Sequence, residues 1–381
     1  MELRQVSLTT LNAAALAPLM QIRPDVILVF AAPRFFTEPG LAETLASAFP
    51  KARRIGASTA GEISGHGVDE DSLVVTAVRF ERITTRIATT DLIDLEDCHA
   101  AGRRLGEGLA APDLRGVILL SQGVGVNGSK LIDGAVSALG PTIPLTGGLA
   151  GDNGTFSKTW TLLDERISGT MLVALGLYGD AVDFAHGSFG GWQSFGPARR
   201  ATRADGNVLY ELDGTPALEI YKRYLGEHAR DLPASGLLFP FAVLSDERQE
   251  TGLIRTLLAV NEDDGSLVLA GDIPENAFLR LMHASTEALV DGAELAAVAA
   301  RRMVESDTPS LGLLISCVGR KLAMGDRVEE EIEAVGSVFG PGCTLAGFYS
   351  NGEISPFLDS TECKLHNETM TVTYITEKTI G

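Results

Sequence analysis

A nine-residue phrase occurs twice in this chain, almost three hundred residues apart. Near the N-terminus it reads Gly56-Ala-Ser-Thr-Ala-Gly61-Glu62-Ile63-Ser64. Near the C-terminus it reads Gly347-Phe-Tyr-Ser-Asn-Gly352-Glu353-Ile354-Ser355, so five of nine positions are identical at the same spacing. Self-similarity of this kind marks a chain built from related parts. It restricts the fold to one in which the same supersecondary unit recurs. Each copy combines glycines, hydroxyls and one carboxylate. Glycine lets backbone N–H groups approach a small ligand closely.

The surroundings of the phrase repeat as well. The apolar, β-branched run Asp25–Phe30 reads as a buried parallel strand. A helical pattern over Leu41–Phe49 follows, then Arg54-Ile55 leads into the first phrase. The same order recurs at Gly116–Ser121, a Gly-rich loop, a helix over Lys130–Leu139, and Thr142–Thr146. That copy ends in Gly147-Gly148-Leu-Ala-Gly151-Asp152, whose Gly151-Asp152 is read as the counterpart of Gly61-Glu62 and Gly352-Glu353. A third instance runs Leu311–Ser316, helix Glu329–Phe339, Cys343–Ala346 and the second phrase. Three units of strand, helix, strand and Gly-x-acid are therefore expected. The alternating runs Ser72–Val78 and Thr369–Ile375 read as antiparallel strands. A long helix is expected over Pro274–Arg302, broken near Asp291-Gly292. The segment Gly190–Gly214 shows few core signals. The chain thus reads as an α/β protein with two related lobes of mixed sheets and flanking helices. The boundary is placed near Asp213-Gly214-Thr215, giving domains over residues 1–215 and 216–381.

Composition limits the function. Formal net charge is −19 over 381 residues, which opposes binding to phosphate backbones and to anionic membranes. No run of about 18 apolar residues is present, so no membrane span is expected. The N-terminus lacks a signal-peptide core, so a cytoplasmic location is expected. Cys98, Cys317, Cys343 and Cys363 form no C-x-x-C pair, and the six histidines form no H-x-x-x-H pair, so no metal site is read. No nucleophile elbow is present: Ser58 lies in Gly-Ala-Ser-Thr-Ala, not G-x-S-x-G. An enzyme is not expected.

One local motif points elsewhere. Gly123-Val-Gly125-Val-Asn-Gly128 matches G-x-G-x-x-G between a strand and a helix. The ribose-binding acid that a dinucleotide fold places about 20 residues on is missing, since the next strand ends Leu145-Thr146-Gly147-Gly148 with no acid until Asp152. A nucleotide-dependent enzyme using Gly123, Gly125 and Gly128 remains an alternative reading, beside a turn that serves topology alone. Glu62 and Glu353 likewise admit two readings, as ligand acceptors or as caps of their own turns.

The first phrase, the turn Thr146–Asp152, His186-Gly-Ser-Phe-Gly-Gly-Trp192 and Leu212–Tyr221 resemble the N-terminal FIST domain. The second phrase with Leu365-His366-Asn367-Glu-Thr369-Met370-Thr371 resembles the end of the C-terminal FIST domain. The resemblance implies an intracellular sensory protein for a small ligand, amino acids being suggested by family context. It implies a haem-based nitric-oxide sensor as an alternative, with a histidine kinase or cyclic-di-GMP enzyme as partner. No kinase or receiver segment is read in the chain, so a separate partner is expected. The candidate ligand site comprises Ser58, Thr59, Glu62, Gly148, Tyr349, Ser350, Asn351 and Glu353, facing a shared cleft. The candidate haem ligands are His366, His66 and His186. The phrase aromatics Phe348 and Tyr349, with Trp160 and Trp192, are candidates for lining a concavity.

Overall fold

The computed structural model describes residues 1–274, 276–304, 309–357 and 362–378. It is mixed α/β, with several mixed sheets and flanking helices. Two of the repeated units span residues 2–178, and the third unit with a further sheet spans residues 182–377, across the boundary near residue 215.

Each unit follows one plan: an opening strand, an inner strand, a crossover helix, a phrase strand, a short hairpin and a closing strand. In the first unit the strands are Glu2–Leu8, Val26–Ala31, Arg53–Ser58, the hairpin Glu62–Ser64 with Gly67–Asp69, and Leu73–Arg79. In the second they are Thr84–Asp91, Leu114–Ser121, Leu145–Leu149, Thr161–Leu163 with Arg166–Ser168, and Met171–Tyr178. In the third they are Val182–Phe189, Ser310–Cys317, Cys343–Ser350, Gly352–Pro356 with Cys363–His366, and Met370–Glu377. Inner and phrase strands run parallel, as a helical crossover requires, and the closing strand is antiparallel to the inner one.

The hairpins do not stay with their own units. The first unit's hairpin extends the third sheet, the second unit's extends the first, and the third unit's extends the second. The exchange is cyclic, so each sheet is completed by a neighbour. One face of all three sheets meets in a common core that includes Phe30, Ile55, Ile118, Val173, Leu313 and Phe348. The Phe30 and Phe348 rings lie 4.8 Å apart in that core. The outer faces are covered by each unit's own helices, Cys98–Leu109 with Gly128–Leu139 in the second unit and Thr286–Arg302 with Glu329–Phe339 in the third.

The fourth sheet is inserted between the opening and inner strands of the third unit. Its core strands include Gln193–Asp205, Val208–Leu212, Phe241–Leu244, Ser266–Leu269 and Phe278–His283. The segment Gly190–Gly214, which showed few core signals, thus contains two of its strands. Asp213-Gly214 is the turn between Val208–Leu212 and Thr215-Pro216. The expected Pro274–Arg302 helix is corrected: Phe278–His283 is a strand paired on both sides, and the helix begins at Thr286. The alternation Phe-Leu-Arg-Leu-Met-His suits a strand, and the Ser285 side chain caps the helix by accepting from Ala288 N–H. Gly292 does not break it. A Cβ there would stand 3.0 Å from the Gly191 nitrogen, so glycine permits close helix–turn packing. Residue 275 lies outside the described residues.

The phrase strands carry one glycine at equivalent register, Gly56 opposite Val29, Gly147 opposite Leu119 and Gly347 opposite Leu314. A Cβ at Gly347 would lie 1.7 Å from the Leu314 carbonyl oxygen. Gly347→Ala is therefore expected to cost more than about 3 kcal/mol, because backbone has to move. Gly342→Ala, where a Cβ meets nothing within 4 Å, is expected to stay within about 0.5 kcal/mol of the parent. Urea denaturation of both variants checks the pair; equal midpoints contradict the packing argument.

Candidate functional site

The three phrase turns meet. Ala60 N–H donates to the Tyr349 carbonyl (2.8 Å), Gly151 N–H to that of Ser58 (2.8 Å) and Asn351 N–H to that of Leu149 (3.2 Å). Each donor lies four residues after its register glycine and each acceptor two, so the three bonds are equivalent and cyclic. This meeting point is interior. Ser58, Thr59, Glu62, Tyr349, Ser350 and Glu353 are fully buried, and their polar atoms are engaged within the fold. Ser58 Oγ donates to the Gly151 carbonyl (2.7 Å) and accepts from Trp160 N–H (2.9 Å). Tyr349 OH donates to Glu331 Oε1 (2.5 Å), which belongs to the buried Arg320–Glu331 ion pair. Gly148 pairs with Glu353 in the sheet ladder, and a Cβ there would lie 2.7 Å from Ile315 Cγ2.

The two glutamates do the same structural task. Glu62 accepts from Thr59 Oγ1 and from the N–H and hydroxyl of Ser72 (2.9 and 2.7 Å). Glu353 accepts from Ser350 Oγ (2.7 Å) and from the N–H and hydroxyl of Thr369 (3.2 and 2.9 Å). Each ties a phrase turn to the residue just before its closing strand. The second unit departs from this. Asp152 lies five residues after Gly147, whereas Glu62 and Glu353 lie six after theirs, so the expected equivalence of Gly151-Asp152 is off by one. Asp152 caps its own loop, accepting from Thr155 Oγ1 and the N–H groups of Phe156, Ser157 and Lys158. Burial opposes its charge, but these donors hold its carboxyl below the usual range.

A cavity of about 290 Å³ opens where the second unit's inner strand ends. In the first and third units the helices Pro33–Thr37 and Val318–Met324 begin almost at once after that strand. In the third unit Lys321 fills the gap, donating to the Ala60 carbonyl at 2.7 Å. In the second unit the glycine loop Gln122–Asn127 intervenes. Gln122 Nε2 braces it by donating to the carbonyls of Val124 (2.9 Å) and Gly125 (3.2 Å), and Gly125 has φ +68°. Gly123 is required because a Cβ would stand 1.8 Å from the Ala150 carbonyl oxygen.

The walls come from separate parts of the chain. Gly123, Asn127, Gly128 and Lys130 form one wall at the start of the Gly128–Leu139 helix. Gly206, Asn207, Gly271 and Asp272, from two turns of the fourth sheet, form another, and Asn351 of the second phrase closes the third. Asn127 caps the helix, its Oδ1 accepting from Lys130 N–H (3.0 Å), while its Nδ2 donates to Asp272 Oδ1 (3.1 Å) across the seam. Asn351 is the exceptional member. It is 8% exposed, and among the described residues neither its side-chain oxygen nor its nitrogen has a hydrogen-bond partner. An unpaired buried amide costs on the order of 1–3 kcal/mol. Its siblings in the cyclic triplet are Ala60 and Gly151, which make the same backbone bond, so the backbone does not demand asparagine.

Family models described as the FIST N domain and the FIST C domain match residues 25–215 and 217–356. The chain belongs to the FIST family. FIST domains are in general sensory domains for small ligands. A stretch covering 38% of this chain is 29% identical over 158 residues to an uncharacterized protein of Methanocaldococcus jannaschii and spans 30% of that relative's length. The crystal structure of a cyanuric acid hydrolase from A. caulinodans aligns over 99% of both chains, with 11% identity and a TM-score of 0.37. No described helix of this FIST protein is long and apolar enough to cross a membrane.

Of the eight candidate ligand residues in this FIST protein, Asn351 lines the cavity, and the others belong to the interior around it. None of the candidate haem histidines is in the cavity lining, although His366 follows the lining residue Leu365. His366 is buried with Nε2 2.9 Å from the Ser355 carbonyl, and burial pushes its ring down to about 4. His186 is buried on the third unit's opening strand, where desolvation lowers it to about 4, and His66 is exposed at the tip of the first hairpin. Asp272, Asn207 and Lys130 were missed. Their signals, Asp-Gly-Asn and Ala-Gly-Asp turns, announce turns without placing them beside residue 123.

Burial, opposed by the hydroxyl and N–H donors, raises Glu62 to about 7 and Glu353 to about 8. Glu368 is raised by burial to about 8 as well. An acid whose folded pKa exceeds its unfolded value stabilises the fold at low pH and loses that contribution as pH rises. Buried His186 and His366, lowered to about 4, act in the opposite sense below about pH 6.5, so stability is expected to decline between about pH 6.5 and 9, and Glu353→Gln is expected to flatten the profile. Urea midpoints across this range check it; a midpoint that climbs with pH contradicts the assignment.

Proposed function

We propose that this protein is a small-ligand sensor that holds a zwitterion of amino-acid size in the cavity at the seam of its lobes. The observation that carries the reading is Asn351, a buried amide with both polar atoms unpaired against an open cavity. Such a group recovers its lost hydrogen bonds when a polar ligand binds. The surrounding charges suit a zwitterion. The start of the Gly128–Leu139 helix and Lys130 attract an anionic group. Asp272, also in the lining, attracts a cationic one.

The size supports a small ligand. About 290 Å³ lies just below the roughly 300–1,000 Å³ of sites for drug-sized molecules, which favours an amino acid over a dinucleotide or haem. Among the described residues the lining contains no serine, threonine, cysteine or histidine, so it offers no hydroxyl, thiol or imidazole nucleophile. The Gly123–Gly128 loop, read alternatively as a nucleotide loop, serves here as a wall. Because the walls come from the second unit, the third unit and the fourth sheet, a ligand that binds one arrangement of them more tightly shifts the population toward it. A separate intracellular partner, of the histidine-kinase or cyclic-di-GMP-enzyme kind, completes the proposal as the reader of that shift.

Calorimetric titration of the purified protein with amino acids tests the proposal. Asn351→Ala is expected to weaken binding about 10- to 100-fold while leaving the ligand-free melting temperature unchanged or higher, since it removes an unpaired amide. Equal affinity of parent and variant contradicts the site. Asp272→Asn and Lys130→Met are each expected to weaken the same ligand, and indifference to both contradicts the zwitterion.

A further inference from the structure

Resting on the zwitterion reading above, we infer that the ligand carries an apolar side chain of leucine to phenylalanine size, and that Leu95 and Leu258 select it. The cavity is chemically divided. Its polar groups gather at the glycine loop, Asn351 and Asp272. Apart from Glu96 and Asn207 the remaining lining is apolar, with Leu269 and Leu365 buried, Phe156 half-buried, and Leu95 and Leu258 exposed.

The two exposed leucines carry the inference. Leu95 is 54% exposed and Leu258 is 38% exposed, and both border the cavity. Neither is exposed because its segment is loose. Leu95 sits on an acidic turn braced from beneath: Ile93 N–H donates to Asp97 Oδ2 (3.1 Å) and Asp97 N–H to Asp94 Oδ1 (3.0 Å). Arg104 grips both Asp97 oxygens at 2.8 Å. Leu258 is the extra residue of a β-bulge between Leu257 and Ala259, beside Leu257 in the core of the fourth sheet, and the bulge leaves its side chain exposed at the cavity. Singly exposed leucines are common, but two that line the same cavity with Leu269 and Leu365 offer a surface for an apolar portion of a ligand. A polar head seated against Asn351 leaves the tail to run out between these leucines. Glu96, beside Leu95 in the lining, disfavours an acidic tail at the same place.

Calorimetry on the full chain separates head from tail. Glycine, alanine, leucine, phenylalanine, glutamate and lysine are titrated into the parent, Asn351→Ala, and a double variant Leu95→Ser with Leu258→Ser. Leucine or phenylalanine is expected to bind the parent about 10- to 200-fold more tightly than alanine. The double variant is expected to erase that margin and leave alanine binding unchanged, whereas Asn351→Ala lowers every ligand by a similar factor. A flat series, or a preference for glutamate or lysine, overturns the tail inference and leaves the sensor reading standing. A double variant that weakens alanine as much as leucine also overturns it. If none of the six ligands binds the parent, both readings fall.

Discussion

Three backbone hydrogen bonds hold the centre of this molecule, from Ala60, Gly151 and Asn351 to the carbonyls of Tyr349, Ser58 and Leu149. They join each unit's phrase turn to the phrase strand of the next. The hairpins that leave these turns complete the neighbouring sheets, so none of the three sheets is whole without the chain from another unit. The common core beneath them draws side chains from all three units. Closure of the ring is thus a single event in energetic terms: the apolar burial that drives folding becomes available only when the three turns are in register.

Buried polar groups secure that register. Glu62 and Glu353 each spend their carboxylates on a hydroxyl in the turn and on the residue that opens the closing strand. Burying a carboxyl is costly, and hydrogen bonds only partly offset the cost, which is why both groups hold their protons more tightly than in water. Arg320 and Glu331 form a fully buried pair whose remaining donors and acceptors reach Gly190, Leu289, Ser316 and Tyr349. A pair of this kind adds little net stability, but removing one partner strands the other. It couples the third unit to the turn where the fourth sheet departs.

The cavity opens where the repeat is broken. In the second unit a glycine loop replaces an immediate helix, and the gap it leaves is met by asparagine where the sibling turns have alanine and glycine. The fourth sheet, present in one unit, supplies the opposite wall. A symmetric ring would have filled all three gaps as Lys321 fills one of them.

The repeated phrase, the three strand–helix–strand units and the mixed α/β class were legible in the sequence, because periodic apolar runs and glycines are local signals. Gly347 or Gly147 could be read as a special backbone position without knowing its neighbour. The structure alone decided which groups stay inside. The phrase hydroxyls and carboxylates looked available for a ligand, but Ser72 and Thr369, ten and sixteen residues further along, take them up. The exchange of hairpins, the one-residue offset at Asp152 and the meeting of Gly123, Asp272 and Asn351 rest on contacts between distant segments. Spacing along a chain fixes which residues share a turn; it does not fix which turns share a wall, because that depends on how whole sheets pack.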